Sequence, residues 1–372
     1  MKIGYDAKRI FHNTTGLGNY SRDLVRIMAH YFPENKYYLY NPKKPKVNRL
    51  SIQPNMIVKQ PETILSKFLP SLWRSKLITK DLQKDKIDIY HGLSAELPAG
   101  IKKTKIKSVV TIHDLIFQHF PELYKPIDRK IYFKKFLSAV QNADRIVAIS
   151  EQTKADIVKF GNLAPGDIKV IYQGCHQVFK ENYSPIEKQE VREKYNLPGE
   201  YILNVGTLEP RKNALSIVQA IKGTEYSLVL VGRKTGYAKL IEKYILENQM
   251  QKQVIFLEGL SLKELAMVYQ MARMLVYPSI FEGFGIPIIE ALYSKIPVIT
   301  NKKGVFPEAA GPYSYYVNDV TDPLEIKEKI DEVWSKNNEE NIRKSYDFVQ
   351  KFNDDKIASQ WMNLYQNLLS GK

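Results

Sequence analysis

A chain of 372 residues, 44% hydrophobic and 26% charged, is long enough for two ordinary cores and has the composition of a globular protein. The net charge of +15 is carried by residues 1–180, the remainder being close to neutral, so the N-terminal half should favour an anionic partner. No apolar run reaches the ~20 residues of a membrane span, no signal-peptide core precedes the first strand pattern, and the single Cys175 excludes an intrachain disulfide, so a cytoplasmic protein is expected, with Cys175 a small buried side chain.

Strand-like runs alternate with helical patterns throughout, which predicts an α/β protein with parallel sheets. The first strand, Lys2–Tyr5, is followed by Gly16-Leu17-Gly18 and a helical pattern over Arg22–His30. Glycines ahead of a helix let N–H groups approach a phosphate. The third glycine of a G-x-G-x-x-G fingerprint would fall at Ser21, however, and the loop is too long for that tight turn. By itself the loop fits an ordinary turn as well as a phosphate cradle. His12, beside it, is a candidate for the acceptor side.

The stretch KFLPSLWRSKLITKDLQKDK mixes Leu69, Leu72, Trp73, Leu77 and Ile78 with Lys67, Arg74, Lys76 and Lys80. It fits an interfacial amphipathic helix on anionic lipid, or a domain helix with a solvated face. Lys102, Lys103, Lys105, Lys107, Lys125, Arg129, Lys130, Lys134 and Lys135 add to the basic patch. The strands Ile87–Tyr90 and Lys107–Ile112 each deliver a histidine, His91 and His113, to a carboxyl edge. Such a histidine is a structural hydrogen-bonder or a site residue, and Asp114 next to His113 favours the second reading there. Strand Arg145–Ile149, helix Glu151–Phe160 and strand Lys169–Ile171 follow.

The polar stretch Phe179–Pro198 is the best boundary, because strand Tyr201–Val205 opens a new αβ alternation after it. Next, Arg211 and Lys212 stand where a strand hands over to the helix Ala214–Ile221. Cations there oppose the helix dipole, which points to a bound anion such as a diphosphate. Strand Ser227–Val231, helix Ala238–Gln249, strand Val254–Leu257, helix Leu262–Met271 and strand Met274–Tyr277 lead to PSIFEGFGIPIIEAL. There Glu282 lies in a glycine-rich loop, Pro287 fits the first turn of a helix, and Glu290 is expected in that same turn. The two carboxylates could grip sugar hydroxyls on either side of a phosphate held by N–H groups near Gly285–Ile288; a capping acid and a surface acid would give the same spacing. Strand Pro297–Thr300 follows, and Phe348–Leu369 reads as an amphipathic helix.

Taken in order, GLGNYSRDL, TIHDL, RIVAISEQTKADI, VIYQG, NVGTLEPRKN, LVLVG, YPSIFEGFGIPIIEAL and PEAAG resemble the retaining GT-B glycosyltransferases of family 4 over nearly the whole chain. Among these, the bacterial sugar transferases with TIHDL and GTLEPRKN, many of them mannosyltransferases of surface polysaccharide assembly, are most similar. The resemblance implies two Rossmann-like domains facing across a cleft: residues 1–180 with a C-terminal helix of about 355–372 crossing back, for the acceptor, and residues 181–354 for a nucleotide-sugar donor. It implies that Glu282 binds the transferred sugar, Glu290 the donor ribose, and Arg211 and Lys212 the diphosphate with backbone around Phe284, Gly285 and Ile286. His113 would contact the sugar near the reacting carbon, Gly16 and Gly18 the donor phosphate, and Gly232, Arg233 and Leu260 would approach the base. Ser294-Lys295 and KKGVFPEAAG depart from the family pattern near the donor.

No two aspartates are separated by one residue, so a D-x-D metal motif is missing, and no His/Cys cluster has zinc spacing. The expected function is metal-independent, retaining transfer of a hexose without a cofactor. Mannose from GDP-mannose is the first choice and glucose or a hexosamine from a UDP-sugar the second. The expected acceptor is a glycan or lipid-linked saccharide, with weak contact to the inner face of an anionic membrane. A sugar-nucleotide epimerase is the alternative. A dinucleotide oxidoreductase fails on the glycine fingerprint, and a nucleic-acid-binding module lacks a recognition motif.

Overall fold

In the computed structural model, which describes residues 1–371, the apolar runs become strands of two all-parallel sheets. The first sheet comprises β1 (Lys2–Asp6), β2 (Lys36–Tyr40), β3 (Met56–Lys59), β4 (Ile89–Gly92), β5 (Lys107–Ile112), β6 (Arg145–Ala148) and β7 (Ile168–Val170). Their order is β3-β2-β1-β4-β5-β6-β7, with Tyr5 opposite Leu39 on one side and His91 on the other. The order reverses between β1 and β4, the place where open α/β sheets take ligands. β2 and β3 go beyond the strands read from the sequence. KYYLY is rich in tyrosine, whose hydroxyl masks a strand-forming ring; here Tyr37 is buried and its hydroxyl donates to the carbonyls of Met28 (2.7 Å) and Phe32 (2.9 Å).

This sheet belongs to the unit formed by Met1–Gly174 and Phe352–Lys372. The expected helix over Phe348–Leu369 is interrupted. One helix ends at Val349, a 3-10 turn spans Gln350–Phe352, and a new helix, Asp354–Ser370, packs on the helix Gly16–Tyr31. Trp361, Met362, Tyr365 and Leu368 are buried there, and Arg26 bonds Asp354 at 2.7 Å. Lys372, the end of the expected helix, lies outside the described residues. The basic stretch also differs from a single interfacial helix. Short helices Ile64–Phe68 and Pro70–Leu72, a π-turn Trp73–Leu77 and a helix Ile78–Lys84 follow one another. Trp73 and Ile78 turn into the core, while Ile64 and Phe68 are 76% and 80% exposed.

The second unit, Cys175–Lys351, contains β8 (Ile202–Val205), β9 (Leu228–Val231), β10 (Val254–Leu257), β11 (Met274–Tyr277), β12 (Val298–Asn301) and β13 (Tyr315–Val317) in the order β10-β9-β8-β11-β12-β13. Both faces are covered, with Ile217, Ile241, Ile326 and Ile330 among the core side chains, so the strands read as continuous apolar runs. The order reverses between β8 and β11. Cys175 is buried in this unit. The helix Pro185–Lys194 starts on a capping box in which Ser184 and Glu187 satisfy each other's backbone N–H. Each unit is thus a Rossmann-like α/β fold built on parallel strands.

Candidate functional site

The loops after β8 and β11, on either side of the second switch point, bring three of the expected residues into contact. After β8 the chain makes a 3-10 turn, Pro210–Lys212, then enters the helix Ala214–Ala220 through Asn213 in a left-handed conformation (φ 55°). The Asn213 amide fixes that bend by donating to the carbonyl of Val320 at 2.6 Å. After β11 the loop carries Glu282 back over this turn, and the Ile280 N–H donates to the Arg211 carbonyl at 2.9 Å.

Glu282 Oε1 is the centre of the cluster. It lies 2.9 Å from Arg211 Nη1, it contacts Lys212 Nζ, and it accepts from the Tyr277 hydroxyl at 3.1 Å. Lys212 also donates to Tyr277 at 2.7 Å, and Arg211 Nη2 bonds Glu209 at 2.6 Å. Burial disfavours the Glu282 carboxylate, but Lys212 and then Arg211 outweigh it and hold its pKa below the usual range. Burial likewise opposes the charge on Lys212, and Glu282 raises its pKa nonetheless. The cationic pair that the helix dipole disfavours therefore has an internal counter-anion.

Gly285 caps the helix Ile286–Tyr293 with φ 108°, a conformation open to glycine, and Phe284 beside it is buried. Glu290 lies past the first turn of this helix, one turn further than expected, because the helix begins at Ile286; its Oε2 accepts from the buried Tyr269 at 2.8 Å. Gly232, after β9, has φ 152°, and a Cβ there would meet the Gly206 carbonyl at 1.9 Å, so the loops after β8 and β9 touch backbone to backbone. Arg233 is exposed beside it, and Leu260 is half-buried after β10. All these loops share the carboxyl edge of the second sheet.

The remaining expected residues lie in the first unit. His113 follows β5, and its Nε2–H donates to the Leu93 carbonyl at 2.8 Å, leaving a lone pair on Nδ1 in the neutral ring. Burial pushes its pKa down to about 4. The Tyr20 ring meets it edge-on at 4.6 Å. Gly18 donates its N–H to Thr15 O (2.9 Å) and Asn13 Oδ1 (3.1 Å), and a Cβ would lie 2.1 Å from the Asn13 carbonyl. That close approach explains a glycine at Gly18, whereas a Cβ at Gly16 would meet open space. His12 bonds Asn41 at 2.9 Å. His91 is fully buried with both ring nitrogens engaged, by Tyr365 at 2.7 Å and Thr111 at 2.8 Å, so it belongs to the core. Sequence reasoning missed Tyr277 and Tyr269, which orient the two acids; each sits in an ordinary apolar run, and its acid lies 5 and 21 residues on, respectively. Among the described residues no cluster of three His, Cys, Asp or Glu side chains is placed to hold a metal ion.

Residues 22–176 match the family described as Glycosyltransferase Family 4, and residues 186–347 match Glycosyl transferases group 1. The O-antigen chain mannosyltransferase B of Escherichia coli is 28% identical over 332 residues, covering 84% of this chain and 85% of the relative. The O-antigen chain mannosyltransferase RfbU of Salmonella typhimurium is 34% identical over 212 residues, 56% of each chain. Sucrose-phosphate synthase from Thermosynechococcus elongatus superposes with a TM-score of 0.79 at 18% identity, covering 100% of both chains, a likeness of fold.

Proposed function

Since this chain carries both glycosyltransferase domains and belongs to the family 4-like hexosyltransferases of GT-B fold, we propose that it moves mannose from GDP-mannose onto a saccharide acceptor of surface polysaccharide assembly, with retention at the anomeric carbon. The observation that carries this reading is the cluster of half-buried Arg211 and Lys212 around the buried Glu282 at the second switch point. A diphosphate needs cations, and a hexose needs a carboxylate that accepts from its hydroxyls; the cluster supplies both. The curated relatives that transfer mannose favour that sugar over the glucose or hexosamine of a UDP-donor.

In this mechanism the bond from the anomeric carbon to the diphosphate oxygen breaks, and the negative charge growing on that oxygen is stabilised by Arg211 and Lys212. The incoming acceptor hydroxyl bonds the same face of the carbon and passes its proton to the departing phosphate oxygen. Glu282 orients the sugar and Glu290 the ribose. Backbone at Phe284, Gly285 and Ile286 serves the phosphates; Gly232, Arg233 and Leu260 approach the base. Two cations and helix starts take the place of a metal, so chelation should leave the rate unchanged.

A thermal-shift screen of GDP, UDP, GDP-mannose and UDP-glucose tests the donor. A ligand at 100 times its Kd should add about 2.7 kcal/mol to stability. Arg211→Ala should lower turnover at least ~10²-fold. Absence of any nucleotide shift, or near-wild-type turnover in Arg211→Ala, rejects the reading.

The first unit is also proposed to touch an anionic membrane surface. Phe68, Ile64 and Ile127 are exposed among Lys67, Arg129 and Lys130, the combination that anchors at a lipid interface. No helix among the described residues is long and apolar enough to cross a membrane. Binding to anionic liposomes that weakens with salt and with Phe68→Ser supports this contact; failure to pellet at low salt removes it.

A further inference from the structure

The first sheet has its own switch point, between β1 and β4, and a cavity of about 310 Å³ opens beside it. Asp6, the last residue of β1, and Glu96, in the loop after β4, line it together with Arg74. Arg74 Nε lies 3.0 Å from both Asp6 oxygens, its Nη2 contacts Asp6 and its Nη1 contacts Glu96. Glu96 accepts further from Lys135 at 3.0 Å. The facing walls are apolar: Tyr90, Leu97, Pro98 and the exposed Ile131.

The chemistry of this wall selects its ligand. Two acids, Arg74, Lys134 and Lys135 leave it close to electroneutral. A free phosphate would add a further negative charge directly beside Asp6 and Glu96. A neutral ring bearing hydroxyls does not. It donates to the open lone pairs of Glu96, accepts from the unengaged N–H groups of Arg74 and from Lys134, and lays its C–H face on Leu97 and Ile131, while Asp6 holds Arg74 in place. The volume stands at the small end of the roughly 300–1,000 Å³ of ligand pockets, so it suits one small ring rather than a long chain.

We propose that this cavity is a glycan-holding site that seats one hexose of the acceptor. The inference rests on the glycosyl-transfer reading, but it concerns a site separate from the residues assigned to the donor. Its test uses the full chain and α-linked mannobiose as the probe, followed by saturation-transfer NMR at millimolar concentration with saturating GDP present. Ile131→Trp, which fills the cavity from its exposed lip, and Glu96→Gln should each weaken the mannobiose response at least ~10-fold, as loss of hydrogen bonds to a half-buried acid or of pocket space does. Both should leave the thermal shift by GDP unchanged and raise the acceptor KM more than they lower the rate of donor hydrolysis by water. A mannobiose response that is absent in the native protein, or that survives both substitutions, overturns the site. Should GDP and UDP produce no shift in any form, the donor reading falls, while loss of the mannobiose response in Ile131→Trp still upholds the cavity.

Discussion

One carboxylate oxygen, Oε1 of Glu282, is shared by Arg211, Lys212 and the Tyr277 hydroxyl. Removing the charge leaves Lys212, which is half-buried, without a counter-ion and Arg211 with Glu209 alone. Glu282→Gln should therefore lower the stability of the unliganded protein, by about 3–5 kcal/mol if the site does not relax. The same change releases Lys212, and one of the two acids on Arg211, for an external anion, so GDP or UDP should raise the melting temperature of Glu282→Gln more than that of the native protein. Equal shifts would show that the acid and the diphosphate do not compete. The pH dependence follows from the same residues. Burial lowers the pKa of His113 to about 4 and of His91 to about 3, from 6.5. Below pH 6.5 the unfolded chain binds these protons first, so stability should decline as pH falls from 6.5. Glu282, also depressed, adds a further loss below its ordinary value of 4.5. A urea midpoint that stays constant from pH 6.5 down through 4.5 would contradict both assignments. Arg211, Lys212 and Glu282 were legible in the sequence because charges placed where a strand hands over to a helix face the ligand edge of a parallel sheet. Tyr277 was not, because its ring satisfies the strand pattern and its hydroxyl partner lies five residues on, across a turn whose shape the sequence does not disclose.

At the scale of elements, the C-terminal helix Asp354–Ser370 supplies Trp361 and Tyr365 to the first unit, with the Trp361 ring 4.7 Å from His91. Trp361 is fully buried, so Trp361→Ala should cost about 3–5 kcal/mol in urea denaturation. A cost under about 1 kcal/mol would mean that the helix is a loosely held appendage, since full burial of an aromatic ring cannot be that cheap to undo. The amphipathic period of this helix was readable, but its start was not. The pattern runs through Phe348–Phe352 without a break in hydrophobicity, and the chain changes direction there by a 3-10 turn and the Asn353 cap. The basic stretch misled in the opposite sense. Leu69, Trp73 and Leu77 share a helical spacing that suits one lipid-facing stripe, yet the π-turn Trp73–Leu77 shifts the phase, so that Trp73 and Ile78 point inward together. Local periodicity cannot register a phase slip produced by packing against Tyr40 and Tyr90.

For the whole molecule, alternation of strand and helix was enough to give two parallel α/β units, because parallel strands require crossovers and bury both faces. Each unit has its own core, so unfolding should not be a single two-state event. Trp73 and Trp361 lie in the first unit and Trp334 in the second. In a Trp334→Phe variant, fluorescence reports on the first unit alone, and GDP should shift its transition less than that of the native protein; equal shifts would mean that the units melt together. The two switch points also share a design. At each, a guanidinium or ammonium is already occupied by carboxylates of the same chain: Arg74 by Asp6 and Glu96, Arg211 and Lys212 by Glu282. Neither place is an open trap for the inorganic phosphate of the surrounding solution. If both places hold sugars as proposed, admission would go to molecules that bring hydroxyls for the acids they disturb, a way for a strongly cationic protein to select carbohydrate over bare anion before any bond is broken.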